Sequence, residues 1–136
     1  MPGRIKTRGL VYLRRSTEKQ EISLGAQLEW AIAQAGKLSV ILDAAPGDLV
    51  EMQSRRLHSL KDIRLDDGIT GADLKRPGFT ALNSDALNDR SISHMFVYRR
   101  DRFARPEDAI DMVALEKRLL TAGITLVFYE GIAEPC

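Results

Sequence analysis

Short apolar runs alternate along the chain with stretches of helical periodicity. Gly9, Leu10, Val11, Tyr12 and Leu13 form an apolar run that continues into Arg14 and predicts a first strand over residues 9–14. Ser23 suits an N-cap, and after it Leu24, Leu28, Ala31, Ile32 and Ala35 recur at the spacing of one helix face. A helix to about Lys37 is predicted, with that face on the core. Residues 38–42 read as a second strand and residues 63–65 as a weaker candidate. Between them, residues 44–61 open on the breaker pair Pro46-Gly47 and carry Leu49, Met52, Arg56 and Leu60 near helical spacing. Their charge predicts an inserted helix lying on the surface. Residues 66–75 are polar, with Gly68 and Gly71 permitting unusual backbone angles, and predict a mobile loop.

The second half continues the alternation. Pro77 fits the first turn of a helix to about Asn88. Residues 94–98 read as a strand, and Pro106 starts a helix to Ala122 with Ala109, Met112, Val113 and Leu120 on one face. Gly123 suits its termination, and residues 124–130 form the last strand. The pattern predicts an α/β domain of three layers, with a mostly parallel central sheet flanked by helices. Trp30 and the methionines read as core. No repeat, low-complexity tract or linker composition intervenes, so one domain over residues 1–136 is expected, and 44% hydrophobic content allows it a sizeable core.

Charge sharpens this picture. The formal net charge of +1 excludes a polycationic nucleic-acid binder, but the charge is unevenly placed. Residues 1–19 hold six basic side chains against Glu18, residues 90–105 hold five against Asp101, and the remainder is net acidic. Most of the 20 basic residues are arginine, whose planar fork grips phosphate oxygens in pairs. Such runs also occur simply as solvated faces. The sole cysteine, Cys136, rules out an internal disulfide and a Cys-rich metal site and points to a reducing, cytoplasmic compartment. No apolar run approaches the ~20 residues of a membrane span and no signal peptide opens the chain, so a soluble protein without a membrane partner is expected.

Candidate chemistry gathers at two strand ends. Alternation along a strand sends Tyr12, Arg14 and Ser16 to the same side, bringing together a phenol, a guanidinium and a hydroxyl. Arg99, Arg100, Asp101, Arg102 and Arg105 follow the strand that ends at Tyr98. Open parallel sheets bind ligands outside the carboxyl ends of their strands. If these two strands are neighbours, Ser16 faces Arg102 and Arg105, whose spacing at a helix start lets both lie on one side beside the positive helix end. The combination predicts a phosphate site with a hydroxyl nucleophile.

Five pieces occur in a fixed order: Tyr12-x-Arg14-x-Ser16; Gln20 followed by Ser23-Leu24-x-x-Gln27; Asp67-Gly68-x-Thr70-Gly71; Arg76-Pro77-Gly78-Phe79; and Asp101-Arg102-x-x-Arg105. On them the chain resembles the N-terminal catalytic domain of the serine recombinases, the resolvase and invertase family with its large integrase branch. Only residues 38–64 lie outside the resemblance, where the family usually has fewer residues. The resemblance implies a site-specific DNA recombinase of a mobile element whose serine cleaves and rejoins strands through a covalent 5′-phosphoserine intermediate. DNA is the implied partner, no cofactor or metal is required, and the full-length parent is expected to form dimers, with a tetramer in synapsis. The family's long dimerisation helix and separate DNA-binding domain are not found after residue 130, so the chain reads as a catalytic domain from a longer protein that is inactive or weak alone. Whether the parent resolves, inverts or integrates is left open.

By the same resemblance Ser16 is the nucleophile, and Arg14, Arg102 and Arg105 form the phosphate clamp. Asp101 either orients an arginine or donates a proton to the leaving oxygen. Tyr12 and Gln27 support the site, while Asp67, Thr70 and Arg76 belong to the loop that approaches the phosphate. Two departures stand out: Thr70 replaces a common serine, and Asp85 stands where some small resolvases carry a basic residue. Other classes fit less well. A serine hydrolase would want Gly-x-Ser-x-Gly with a histidine partner, whereas His58 lies in the insertion and His94 begins a strand. Nucleotide-binding glycine loops and metal-ligand clusters are also absent from the sequence. The alternative that stands is an inert family relative or fragment serving as a DNA or protein interaction module.

Overall fold

The computed structural model describes residues 7–15, 22–67, 77–98 and 109–134, with the side chains of residues 109–113 left aside. Its elements are β1 (Arg8–Arg15), α1 (Leu24–Leu38), α2 (Pro46–Arg55), β2 (Ser59–Leu60), β3 (Ile63–Asp67), α3 (Pro77–Asn88), β4 (Ile92–Val97), α4 (Ala109–Thr121), β5 (Thr125–Phe128) and β6 (Gly131–Ala133). Six strands form one sheet in the order β2-β3-β1-β4-β5-β6. The inner four run parallel, and the short edge strands β2 and β6 pair antiparallel. This is the expected three-layer α/β architecture with a mostly parallel sheet.

The four inner strands are buried on both faces, which explains their near-continuous apolar runs. Leu10, Tyr12, Met95, Val97, Leu126 and Phe128 face one side and pack on Leu82 and Ala86 of α3 and Leu119 of α4. Val11, Leu13, Ile63, Leu65, Phe96 and Val127 face the other, against α1 and α2. Ser23 caps α1 as expected, its hydroxyl accepting from the Ala26 amide at 3.1 Å. Gly123, at φ 88°, ends α4 in the left-handed conformation that favours glycine. No helix among the described residues is long and apolar enough to cross a membrane.

Four expectations are corrected. Residues 38–42 are not a strand: α1 runs through Leu38, Ser39 turns left-handed at φ 58°, and only Ile41 bridges to Arg8. The rest of that edge of β1 is taken by β3, whose Ile63 registers with Val11. The helix within residues 44–61 is not a surface decoration either, because Leu49 and Met52 of α2 are buried in the core against α1 and β3. Glu51 and Arg55 lie exposed on the other face, as amphipathic packing requires, while the buried Asp48 accepts from the Ala45 amide and pairs with Lys61. Residue 66 does not open a loop, since β3 continues to Asp67 and buries Asp66 completely. The last strand also turns back at residues 129–130 into the β5–β6 hairpin, which the periodicity did not distinguish from a single run.

Candidate functional site at the carboxyl edge of the sheet

β1 and β4 are adjacent and parallel, with Tyr12 opposite Val97, so the neighbour relation on which the candidate site depends holds. From β1 the chain passes to α1 on one face, and from β4 to α4 on the other. Their carboxyl ends therefore flank the topological switch point, where the outgoing connections diverge and an open α/β sheet leaves a crevice. Residues 16–21 follow one of these ends and residues 99–108 come after the other. Ser16, Asp101, Arg102 and Arg105 fall in those stretches and, with Thr70 and Arg76, lie outside the described residues. Tyr12, Arg14, Gln27 and Asp67 are described.

Tyr12 is fully buried, and its phenol donates to Asp66 Oδ2 at 2.7 Å. The same carboxylate accepts from the amides of Gly78 (2.9 Å) and Phe79 (3.0 Å) in the first turn of α3. Those amides have no partner within their own helix, and a carboxylate is favoured at the positive end of the helix dipole. Phe79 returns to pack its ring 5.7 Å from that of Tyr12. Gly78 is dictated by proximity: a Cβ there would lie 2.5 Å from the backbone oxygen of Leu65. The Arg76-Pro77-Gly78-Phe79 motif thus has a physical basis for its last two residues, the seating of α3 directly on β3. His58 Nδ1 lies 3.1 Å from the Leu65 carbonyl oxygen and 3.8 Å from Asp66 Oδ1.

Arg14 is buried on the Tyr12 face, in register with Asp66. Its backbone is held by Gln27 of α1. The Gln27 amide nitrogen donates to the carbonyls of Arg14 and Ile22 (both 3.1 Å), and its oxygen accepts from the Arg14 amide at 3.4 Å. Gln27, itself buried, satisfies backbone groups where β1 leaves the sheet, and so fixes the strand end that precedes Ser16. Asp67 is not with Tyr12 and Arg14. It projects to the other face, where Arg15 Nη2 (3.2 Å) and Gln53 Nε2 (3.2 Å) donate to it. A cleft of about 320 Å³ lies there between α2 and the end of β3, with Met52 and Leu65 among its walls and Gln53, His58 and Asp67 at its polar rim.

Asp85 has a partner of its own. Arg64 Nε and Nη2 reach its Oδ2 at 3.0 and 2.9 Å, while Arg64 Nη1 donates to the carbonyls of Lys61 and Ile63. The acidic residue at this position therefore neutralises a buried arginine. His94, on β4, lies stacked on Phe96, and burial pushes its imidazole below its ordinary range, which suits a neutral packing residue. Among the described residues no cluster of three or more His, Cys, Asp or Glu could hold a metal ion.

The residue that sequence reasoning missed is Asp66. Its signal was present: Arg64 and Asp66 share strand parity, and extending the weak strand by two positions would have put Asp66 beside Arg14 on the Tyr12 face.

The fold is similar to that of a solved structure, the C-terminal catalytic domain of ISC1926 TnpA, an IS607-like serine recombinase. The two align with a TM-score of 0.62 at 17% identity, over 90% of this chain and 69% of that one. The chain itself belongs to the family of the resolvase N-terminal domain, whose model matches residues 46–134. That range begins with α2, takes in β3, α3 and β4, and runs through β5 and β6. No curated protein sequence is significantly similar to the chain.

Proposed function

We propose that this domain cleaves and rejoins DNA as the catalytic domain of a serine recombinase, with Ser16 as nucleophile. The observation that carries the reading is the parallel pairing of β1 with β4 at the switch point, in a chain that belongs to the resolvase N-terminal domain family. The connections carrying Ser16 and the Arg102–Arg105 pair start from adjacent strand ends. In the reaction Ser16 Oγ attacks phosphorus, the bond from phosphorus to the sugar 3′ oxygen breaks, and the 3′ oxygen leaves with a proton. One phosphodiester replaces another, so no ATP is consumed, and attack by an exchanged 3′ hydroxyl reverses the step. Arg14, Arg102 and Arg105 meet the charge that builds on the non-bridging oxygens, each such donor contributing on the order of 10² in rate. Asp101 orients an arginine or protonates the leaving oxygen, and Thr70 and Arg76, from the segment that precedes α3 in the chain, approach the phosphate.

The described side chains support a division of labour. The Tyr12 phenol and the Gln27 amide hydrogen-bond inside the fold, which favours positioning roles for both. Asp67, engaged by Arg15 and Gln53, suits a role in holding the start of the loop. Dimers, and a tetramer in synapsis, are the assemblies in which the domain would act on DNA.

The test is to incubate the protein with fragmented DNA of the source organism and to isolate protein that stays attached in detergent. The reading expects adducts with blocked 5′ ends and free 3′ hydroxyls, all lost in Ser16→Ala. DNA retained without any adduct by the wild-type protein would instead identify an interaction module.

A further inference from the structure

The cleft between α2 and the end of β3 is lined by described residues throughout. Met52 and Leu65, both buried, form its apolar floor, with the half-buried Leu57 beside them. Gln53, Arg56, His58 and Asp67 form the rim. At about 320 Å³ it sits at the small end of the ~300–1,000 Å³ of ligand pockets, a size for a small metabolite. The rim offers both donors and acceptors. Arg56 ends α2 at φ 56°, its amide donating to the Met52 carbonyl, and its exposed guanidinium has no carboxylate partner among the described residues. His58 Nδ1 faces the Leu65 carbonyl oxygen at 3.1 Å, so that nitrogen carries the proton and Nε2 is left as an acceptor. Gln53 donates through Nε2 to Asp67 at 3.2 Å, which leaves Gln53 Oε1 as a second acceptor. Asp67 holds Arg15 and Gln53 and, with about four lone-pair positions on its carboxylate, has room for one more donor.

We propose that this cleft binds a free α-amino acid with an apolar side chain. Its carboxylate meets Arg56, its ammonium donates to Asp67, Gln53 Oε1 and His58 Nε2, and its side chain covers Met52, Leu57 and Leu65. Charge selects this class. The guanidiniums of Arg15 and Arg56 offset the carboxylates of Asp67 and of Asp66, which lies 3.8 Å from His58 Nδ1. A ligand with a net charge of either sign gains little from such a balance, whereas a zwitterion is satisfied at both ends. A peptide is a poorer occupant, since its N-terminal residue brings no carboxylate for Arg56 and its C-terminal residue no ammonium for the acceptors. The inference stands apart from the DNA reading above, because it needs neither Ser16 nor a phosphate.

The experiment is an amide-resolved NMR titration of the chain with L-leucine. The controls are isocaproate, which is leucine without its ammonium, leucinamide, whose carboxylate is capped, and glycine, which has no apolar side chain. Saturable shifts at Gln53, Arg56, His58 and Asp67 are expected with leucine, with a Kd on the order of 0.1 mM for so small a ligand. Isocaproate and leucinamide should each bind roughly tenfold more weakly, and glycine not measurably, since each lacks one of the three contacts. Glycine adopts the left-handed conformation of residue 56 without a Cβ penalty, so Arg56→Gly removes the guanidinium while α2 ends as before. This variant should melt no lower than the wild type, bind leucine roughly tenfold more weakly and bind leucinamide unchanged. Absence of saturable binding by leucine, methionine and phenylalanine would overturn the site. So would equal affinities for leucine, isocaproate and leucinamide, shifts centred away from the cleft, or an Arg56→Gly protein that binds leucine as the wild type does.

Discussion

The phenol of Tyr12 and the carboxylate of Asp66 meet at 2.7 Å, both fully buried, and through this contact the central strand is tied to the first turn of α3. Asp66 has three donors around it, two of them backbone amides that nothing else in their helix can satisfy. Removing the carboxylate takes this acceptor away from all three. Asp66→Ala should therefore destabilise the domain by about 3 kcal/mol, and Tyr12→Phe, which leaves the amides in place, by about 1–2 kcal/mol. The double variant should cost less than the sum of the two, because they share one interaction. Urea unfolding of the three proteins checks the order.

Gly78 and Gly36 should respond in opposite directions to alanine. A Cβ at Gly78 meets the Leu65 backbone at 2.5 Å, and backbone cannot swing away as a side chain can. Gly78→Ala should cost about 2–3 kcal/mol or lift α3 from β3. At Gly36, inside α1, an added Cβ meets nothing within 4 Å. Gly36→Ala should add about 0.5–1 kcal/mol from helix propensity alone. Thermal melts of the two variants make the comparison.

The Arg64–Asp85 pair predicts what a resolvase-like basic residue would do in this chain. Asp85→Lys places a cation against a buried guanidinium whose remaining acceptors are the Lys61 and Ile63 carbonyls. Since Asp85 is half-exposed, the cost should be moderate, about 1–2 kcal/mol. Adding Arg64→Met should recover most of that loss, a pattern readable by chemical denaturation.

Stability should also depend on His94 as pH falls. Burial lowers its folded pKa below that of the unfolded chain, so the neutral ring contributes stability that is fully present above about pH 6.5, the ordinary imidazole value. That contribution is lost as pH falls through the lower, folded value, because the unfolded state takes up the proton first. Unfolding midpoints measured from pH 8 to pH 5 should decline in the wild type over that window. In His94→Phe the decline should be smaller.

Much of this architecture was legible in the sequence because apolar runs and helical spacing report burial directly. β1, the Ser23 cap, α3, β4 and Gly123 all follow from local pattern. The failures share a cause: they depend on what the rest of the fold had already occupied. Residues 38–42 carry strand-like composition, but β3 takes the edge they would need. α2 reads as a charged surface helix because two apolar side chains, Leu49 and Met52, suffice to seat it. Asp66 looks like a polar loop residue, since composition cannot reveal that three donors await it inside. At the site, the face shared by Tyr12 and Arg14 was readable from strand alternation. That Asp67 belongs to the opposite face, with Arg15, needed the register.

The most direct test of the central claim is mass spectrometry of the attachment site in protein trapped on DNA. Tryptic cleavage after Arg15 and Lys19 isolates residues 16–19, so a nucleotide joined through its 5′ phosphate would be read on a four-residue peptide containing Ser16. The account predicts the nucleotide mass on Ser16, and none anywhere in the Ser16→Ala protein. A nucleotide attached to any other side chain, or DNA cut and rejoined with Ser16 unmodified, would contradict it.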